Sequence, residues 1–218
     1  MKINKQHIAA ILALISSLNM ATAEAEAEAI PSDSTFDSAT VYGGQGANHN
    51  LLQLPGRIIK ADLDWEKSYF TAICLGKTRG TLGRSFDIFR DTMFESIRHG
   101  PEIVLVKHHG LQSNAEIGAA NMWRTTDLQL GELGVNFAAG AGLSYALGTP
   151  TYEDGPENDP ARRYRLQFLA LFEFEWSLRG SNELSLVTRV HHRSGVYGLI
   201  APRHVGSNFL AVGMRYKF

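Results

Sequence analysis

Apolar and polar residues alternate in short segments from about residue 57 to the C-terminus, and clusters of Gly, Pro, Asp and Asn separate these segments. A period of two is typical of β-strands, because successive side chains point to opposite faces. Each segment is long enough to cross a bilayer at a tilt, which takes about 9–11 residues. The pattern predicts an all-β fold with eight antiparallel strands, near residues 57–66, 68–78, 101–109, 115–126, 132–145, 163–178, 182–194 and 207–218.

The alternation is clearest in the last two segments, where one face is mainly apolar and the other is polar or small. The apolar face carries Leu184, Leu186, Thr188, Val190, Leu210, Val212, Met214, Tyr216 and Phe218. The opposite face carries Ser185, Arg189, His191, Arg193, Ala211, Gly213, Arg215 and Lys217, with Val187 as the exception. This division suits a barrel with a polar lumen and a lipid-facing exterior. A soluble β-sandwich also alternates, so the alternation alone leaves both architectures open.

The C-terminal residues favour the barrel. The final five residues, Met214 to Phe218, end in an aromatic side chain on the apolar face. They resemble the closing strand of bacterial outer-membrane barrels, whose terminal aromatic residue is read by the barrel assembly machinery. The prediction is therefore an eight-stranded antiparallel transmembrane β-barrel over residues 57–218, in the outer membrane of a Gram-negative-type bacterium, with Phe218 contacting that machinery. Eight is the smallest common strand number for such barrels.

The N-terminal residues have a different character. Lys2 and Lys5 precede an apolar run from Ile8 to Leu18, and Ala21-Thr22-Ala23 offers the small residues that a signal peptidase requires. Residues 1–23 are therefore predicted to be a cleaved signal peptide. Residues 24–56 contain few bulky apolar side chains, and this composition predicts a flexible N-terminal segment.

Composition removes several classes of function. A formal net charge of −1 with 20% charged residues gives no indication of nucleic-acid binding. Cys74, the single cysteine, cannot form an intramolecular disulfide. No apolar run beyond the signal reaches the length of a transmembrane helix, which excludes a helical membrane protein. Neither a cofactor nor a resident metal ion is implied, and the oligomeric state is left open.

Strand parity predicts which connections face the cell surface. A signal-cleaved barrel starts and ends in the periplasm, so the long connections 146–162 and 195–206 are outer loops, and 127–131 and 179–181 are short inner turns. Residues 79–100 are long for an inner turn. Their apolar residues recur at helical spacing, which predicts a short helix in the 80–99 region, with two additional strands as the alternative: Phe86, Phe89, Met93, Phe94 and Ile97.

Candidate catalytic residues lie near the outer surface, where the seventh predicted strand ends and the eighth begins. His192 and Ser194 are two residues apart on one strand and therefore share a face, with the parity of the lipid-facing set. Asn208 on the adjoining strand has the same parity. A nucleophilic hydroxyl needs a base within hydrogen-bond reach and a group that orients that base. These residues supply a hydroxyl, an imidazole and an amide at the level of the outer leaflet's headgroups.

The stretch from Thr188 to Phe218 resembles the outer-membrane lipid A deacylases (acyloxyacyl hydrolase-like). The resemblance rests on His-x-Ser, a loop containing Gly and Pro, and a terminal Gly-x-Arg-Tyr-x-Phe strand, and it is specific for about 30 residues. Members of that family are eight-stranded barrels that hydrolyse an ester-linked acyl chain of lipid A with Ser, His and an acidic residue on the outer surface. The resemblance implies that His192 is the general base, that Ser194 is the nucleophile, and that lipopolysaccharide is the partner.

The sequence departs from the family at two points. No Asp or Glu follows Glu183, so the acid that orients the histidine is missing, and Ser207 or Asn208 occupies its region. Asparagine orients the histidine in Cys-His-Asn proteases, and Asn208 can do the same through its carbonyl oxygen. Gly195 stands where the family tends to have an asparagine that helps to hold the oxyanion. The alternative is a non-catalytic barrel that binds lipopolysaccharide or stabilises the envelope.

Other polar and aromatic clusters have simpler interpretations. His108 and His109 are adjacent, so in a strand they point to opposite faces and cannot chelate one metal together. The acidic run in the 146–162 connection is interpreted as a solvated loop, with a cation between lipopolysaccharide phosphates as the alternative: Glu153, Asp154, Glu157 and Asp159. The three tryptophans lie near strand ends, as in the aromatic girdles of membrane proteins: Trp65, Trp123 and Trp176.

Overall fold

Antiparallel strands dominate the computed structural model, which describes residues 34–153, 164–180 and 183–218. Eight long strands form the barrel: β1 Ser38–Ala47, β2 Trp65–Gly76, β4 Arg98–Gly110, β5 Ala115–Arg124, β7 Leu133–Leu147, β8 Leu166–Leu178, β9 Leu184–Ser194 and β10 Gly206–Lys217. Two short strands, β3 Gly80–Thr81 and β6 Leu128–Leu130, pair with β4 and β7, respectively. The predicted eight-stranded antiparallel barrel is confirmed.

The barrel closes through β1. This strand pairs with β10 from Ser38 opposite Lys217 to Gly46 opposite Phe209, and on its other side with β2. Because β2 also pairs with β4, every long strand has two neighbours and the sheet has no free long edge. We refer to its two ends by the residues found there, as the Ser194 end and the Phe218 end.

The structure corrects the prediction of the first strand. Residues 24–56 were predicted to be flexible, but β1 occupies Ser38–Ala47. This strand is rich in glycine because the lumen is crowded beside it: a Cβ on Gly44 would lie 2.8 Å from the Phe70 ring, and one on Gly46 would lie 3.0 Å from the Tyr152 hydroxyl. The composition that suggested flexibility therefore reflects close packing within the barrel.

The predicted strand at 57–66 is also wrong. Residues Leu51–Gln53 form a 3₁₀ turn and Leu54–Ile59 form a short helix, with Pro55 in the first turn. Proline favours that position because it has no N–H to leave unsatisfied and its φ suits a helix. Ile58 and Ile59, which suggested a strand, belong to this helix in the 48–64 connection, and β2 starts at Trp65.

The 79–100 segment contains the predicted short helix but in smaller pieces. The helix Leu82–Ser85 is followed by a 3₁₀ turn at Asp87–Phe89. Another 3₁₀ turn, Val196–Gly198, lies in the connection between β9 and β10. Only the two-residue β3 pairs with β4 in the 79–100 segment, so the alternative of two additional barrel strands is wrong. None of the helices in the described ranges has the length and apolar character of a membrane span.

The predicted faces of β9 and β10 are confirmed. Arg189 and Arg215 are 3% and 2% exposed inside the barrel, whereas Leu186 and Val212 are 43% and 57% exposed on its outside. Outward aromatic side chains gather near both ends, as in the girdles of transmembrane barrels. Trp65, Tyr69 and Tyr145 lie towards the Ser194 end, and Trp123, Phe137, Phe174, Trp176, Tyr216 and Phe218 lie towards the Phe218 end.

Side chains fill the lumen in layers. Three arginines and three glutamates form an ion-pair network in the half nearer Phe218: Arg124, Arg189, Arg215, Glu102, Glu173 and Glu175. Aromatic rings centred on Phe70 and Phe209, whose centroids are 5.0 Å apart, pack above this network. A second polar cluster, described below, fills the Ser194 end. The interior is therefore a packed core.

A charge on the outward face of β10 is expected to destabilise the barrel. Val212→Arg places a guanidinium near the middle of that strand, where a transmembrane barrel loses about 2–4 kcal/mol. The matched control is Leu199→Arg, at a residue that is 82% exposed in the 195–205 connection, where a surface substitution changes stability by about 0.5 kcal/mol or less. Urea unfolding in lipid vesicles measures both variants, and equal effects would contradict the assignment of the outward face.

Candidate active site on the outer face of strands β9 and β10

Alternation along β9 places His192 and Ser194 on the outside of the barrel. Their neighbours His191 and Arg193 are fully buried in the lumen, so the intervening side chains point the other way. Asn208 is the register partner of His192 on β10, and Gly206 is the partner of Ser194. Three of the four residues predicted for the site, His192, Ser194 and Asn208, therefore share the outer face of one strand pair.

His192 and Asn208 are joined by a hydrogen bond of 2.7 Å between Nδ1 and Oδ1. The Asn208 amide is itself held, because its Nδ2 donates to the backbone oxygen of His49 at 2.7 Å. The His49 backbone oxygen is only an acceptor, so it must face the donor Nδ2 of Asn208. Oδ1 therefore faces the imidazole, and His192 Nδ1 must carry the proton that Oδ1 accepts. A neutral imidazole with its proton on Nδ1 is unprotonated at Nε2, and this is the state that a general base requires.

The connection 48–64 also shields this pair. His49 follows β1, and its backbone oxygen covers Asn208, which is 8% exposed on the outer face. The His49 ring accepts a hydrogen bond from the backbone N–H of Asp64 through Nε2 at 2.9 Å, which ties the two ends of the connection together. A hydrogen bond that is partly screened from water is stronger than an exposed one.

Ser194 lies two residues beyond His192, where β9 ends, and it is partly exposed. Among the residues that the structure describes, His192 and Ser194 share no hydrogen bond, and no carboxylate pairs with His192. Hydrogen bonds between a nucleophile and its base are often long without substrate and tighten only in the complex. The structure therefore brings His192 and Asn208 into contact and leaves Ser194 nearby on the same face.

Gly195 is required by the turn that follows Ser194. The backbone oxygen of Gly195 accepts from the N–H groups of Ile200 and Ala201, so the connection folds back over this residue. A Cβ at position 195 would lie 1.9 Å from the backbone oxygen of Ala201. The asparagine that the lipid A deacylases tend to have at this position has no room here. Val196 and Tyr197, with φ of 49° and 54°, complete the tight turn.

Ser207, the fourth predicted residue, is on the other side of the sheet. Its hydroxyl donates to Glu153 Oε1 at 3.0 Å inside the lumen. Because it points away from His192, its side chain does not take the place of an orienting acid. The Asn208 side chain and the Ser207 backbone contact the imidazole instead.

Behind the site, the lumen holds a polar cluster that the sequence pattern does not predict. Glu116 accepts from His108 Nε2 at 3.0 Å and from His191 Nε2 at 3.1 Å, and Arg193 Nε lies 3.6 Å from the same carboxylate. All four side chains are fully buried or nearly so. The parity of His191 and Arg193 placed them in the lumen, but their partner Glu116 comes from a distant strand with no local signal.

Glu153 corrects the interpretation of the acidic loop. It was expected to be solvated, but its side chain is 1% exposed and lies in this cluster; Asp154, Glu157 and Asp159 are outside the described residues. The neighbouring Tyr152 packs against the Phe209 ring. Burial, with the nearby charges of Glu66 and Glu153, raises the pKa of Tyr152 to about 12, so its hydroxyl stays protonated at neutral pH.

The same cluster contains the candidate ligands for a metal ion within the described ranges. Ligand atoms of His108, Glu116 and Glu153 all lie within 4.8 Å of one another. The Arg193 guanidinium already pairs with Glu153 and lies beside Glu116. Arginine therefore supplies the positive charge between the two carboxylates, and a cation would have to displace it.

A cavity of about 260 Å³ opens at the Phe218 end, lined by residues that include Lys77, Arg98, His99 and Glu102. It lies at the opposite end of the barrel from His192, so it does not belong to the candidate site.

Two connections beside the site expose apolar side chains. They are Leu52 and Ile59 from 48–64, and Tyr197 and Leu199 from 195–205, each at least 80% exposed.

Comparison with known proteins identifies a fold and leaves the family open. No protein-family model and no curated protein matches the chain. The crystal structure of the outer membrane enzyme PagL aligns with a TM-score of 0.51 at 11% identity, over 83% of this chain and 99% of that chain. Neisserial surface protein A (NspA) aligns with a TM-score of 0.47 at 13% identity, over 85% and 98%. The likeness to PagL shows a shared barrel fold.

Proposed function

We propose that this protein is an outer-membrane esterase that hydrolyses an acyl ester of lipid A with Ser194 as nucleophile and His192 as general base. The observation that carries the proposal is the hydrogen bond from His192 Nδ1 to Asn208 Oδ1 on the outer face, because it fixes the imidazole in the tautomer that a base needs. The sequence resemblance to lipid A deacylases supplies the substrate class. The likeness to PagL adds that this fold accommodates an outer membrane enzyme.

The reaction follows from the roles of the residues. His192 Nε2 takes the proton of Ser194 as the hydroxyl oxygen attacks the ester carbonyl. The imidazolium then protonates the departing alcohol oxygen, which belongs to a sugar or to a hydroxyacyl chain. Water, deprotonated by His192, cleaves the resulting acyl-serine and releases a fatty acid. Asn208 holds the imidazole through both steps. An outward site suits this substrate, because the ester of a membrane lipid lies beside the outer ends of the strands.

Location in the outer membrane is part of the proposal. The outward apolar face and the aromatic girdles support a transmembrane barrel, and the terminal Phe218 supports insertion by the assembly machinery. Deletion of Phe218 is expected to reduce the folded, heat-modifiable species in the outer-membrane fraction. Semi-native electrophoresis of that fraction measures the effect, with Lys217→Ala as a control that keeps the terminal aromatic. Full-length mature protein recovered as a soluble periplasmic species would contradict the proposal.

The test of function is the lipid A of cells that do or do not produce the protein. Mass spectrometry of extracted lipid A is expected to show the loss of one acyl chain only in producing cells. Production of His192→Gln provides the matched control, since the barrel remains and the base is removed. Identical lipid A in all three cultures would count against an esterase.

Removal of the orienting amide is expected to lower kcat. Asn208→Leu has similar volume but neither holds the His192 tautomer nor bonds to His49, so the base contribution of about 10²–10⁴-fold is largely lost. Initial rates of acyl release from purified lipid A in detergent measure the change. Ser185→Ala, whose hydroxyl donates to Glu175 in the lumen nearer Phe218, provides a comparison and is expected to retain most of the rate. Equal losses would contradict the role of Asn208.

A non-catalytic barrel that binds lipopolysaccharide or stabilises the envelope is the second candidate. The absence of a hydrogen bond between His192 and Ser194, among the described residues, favours it. Lipopolysaccharide that copurifies with the protein and stays chemically unchanged on incubation would support this candidate over the esterase.

A further inference from the structure

Glu153 connects the polar cluster of the lumen to the candidate site. It lies in the connection between β7 and β8, directly after the turn at Pro150, where its backbone N–H donates to the Pro150 oxygen at 3.0 Å. Its side chain enters the barrel at the Ser194 end and is almost fully buried. A carboxylate in such a position requires several donors to offset the loss of water.

Four side chains supply those donors. Oε1 accepts from Gln112 Nε2 and from Ser207 Oγ, each at 3.0 Å, while Oε2 accepts from Gln167 Nε2 at 3.0 Å and pairs with Arg193. The backbone oxygen of Glu153 also accepts from the Gly206 N–H at 2.6 Å. Each carboxylate oxygen therefore has two donors, which satisfies the hydrogen-bonding capacity of the ionised group.

The partners of Glu153 on β9 and β10 are the immediate neighbours of the candidate site. Arg193 lies between His192 and Ser194 in sequence, and Ser207 precedes Asn208. Gly206 is the register partner of Ser194. Because alternate residues of a strand point to opposite faces, contacts that fix these residues from the lumen also fix the outward side chains beside them.

We propose that Glu153 is the positioning residue of the site, holding the ends of β9 and β10 from inside the barrel so that His192, Asn208 and Ser194 keep a common geometry. This inference rests on the proposed function. The carboxylate does not contact His192 and so does not replace the acid of a triad. It acts through Arg193, Ser207 and the Gly206 backbone, where strands meet the loop and would otherwise fray.

Kinetics of the purified, folded protein with lipid A provide the first test. Glu153→Gln removes the charge that pairs with Arg193 and is expected to lower kcat by about 10²-fold, the loss that a misplacement of about 1 Å produces, while KM stays unchanged. Glu153→Asp keeps a carboxylate and is expected to retain more kcat than Glu153→Gln. The matched control is Glu175→Gln, which removes a buried carboxylate from the network nearer Phe218 and is expected to leave kcat unchanged.

A second measurement does not depend on activity. The ring nitrogen shifts of ¹⁵N-labelled histidine, assigned by comparison with His192→Gln, are expected to show a single Nδ1–H tautomer for His192 in wild type and in Glu175→Gln. In Glu153→Gln they are expected to show a mixture of tautomers.

The two readouts separate this inference from the proposed function. A kcat that is unchanged in Glu153→Gln, or that falls equally in Glu175→Gln, overturns the positioning role. If wild type releases no fatty acid, the esterase proposal fails, and the tautomer decides the positioning role alone. A mixture confined to Glu153→Gln then supports that role, and an unchanged single tautomer overturns it.

Discussion

Ser194→Ala is expected to abolish release of fatty acid from lipid A while the barrel assembles normally. Removal of a nucleophilic serine costs a serine hydrolase on the order of 10⁶-fold in kcat, because the base then has no hydroxyl to deprotonate. Stability should change little, since Ser194 lies at the end of β9, partly exposed on the outer face. Release of labelled fatty acid by the purified variant, with semi-native electrophoresis as the measure of folding, tests both expectations.

The control for this variant is Ser113→Ala, in the short connection between β4 and β5. The substitution removes a hydroxyl but keeps the Ser113 backbone oxygen that accepts from Lys107. It is expected to retain full activity. A Ser194→Ala protein that hydrolyses lipid A at the rate of wild type would remove Ser194 from the mechanism and would direct attention to water activated directly by His192.

Glu173→Gln is expected to produce the largest loss of stability. The Glu173 carboxylate accepts from Arg124 at 2.7 Å, from Arg215 at 2.6 Å and from Arg189 Nε at 2.8 Å, and it is fully buried. Its neutralisation leaves three guanidinium groups with two carboxylates. Breaking a buried ion pair from one side costs about 3–5 kcal/mol, because the remaining charge is left buried without compensation.

Urea unfolding of the purified barrel in vesicles measures this loss. Asp62→Asn is the comparison, because Asp62 pairs with Arg57 in the exposed part of the 48–64 connection. An exposed pair contributes about 0–1 kcal/mol, so this variant should unfold close to wild type. If Glu173→Gln unfolds at the same urea concentration as Asp62→Asn, the buried network does not stabilise the lumen.

The period-two pattern predicted antiparallel strands and the faces of β9 and β10, because alternation follows from strand geometry alone. The resemblance of the final five residues to a closing strand then favoured the barrel over a sandwich. The pattern failed at the first strand. Two inward positions of β1, Gly44 and Gly46, have no room for a side chain beside Phe70 and Tyr152, and such packing depends on residues far away in the sequence. Pro55 is typical of a helix start, but Ile58 and Ile59, which follow it within one helical turn, were interpreted as strand residues.

The candidate site was predictable in part for the same reason. Parity placed His192, Ser194 and Asn208 on one face, and the register of β9 with β10 makes His192 and Asn208 direct partners. The role of His49 was not predictable, because it depends on how the 48–64 connection folds over β10. Glu153 was assigned to a solvated loop because a local acidic run does not reveal that one of its members enters the lumen.

Incubation of the purified, folded barrel with lipid A in detergent and ¹⁸O-labelled water tests the central claim most directly. Hydrolysis through an acyl-serine predicts lipid A that has lost one acyl chain and a free fatty acid that carries one ¹⁸O atom, with neither product formed by His192→Gln. Lipid A and phospholipids that remain unaltered in the presence of folded wild-type protein would contradict it.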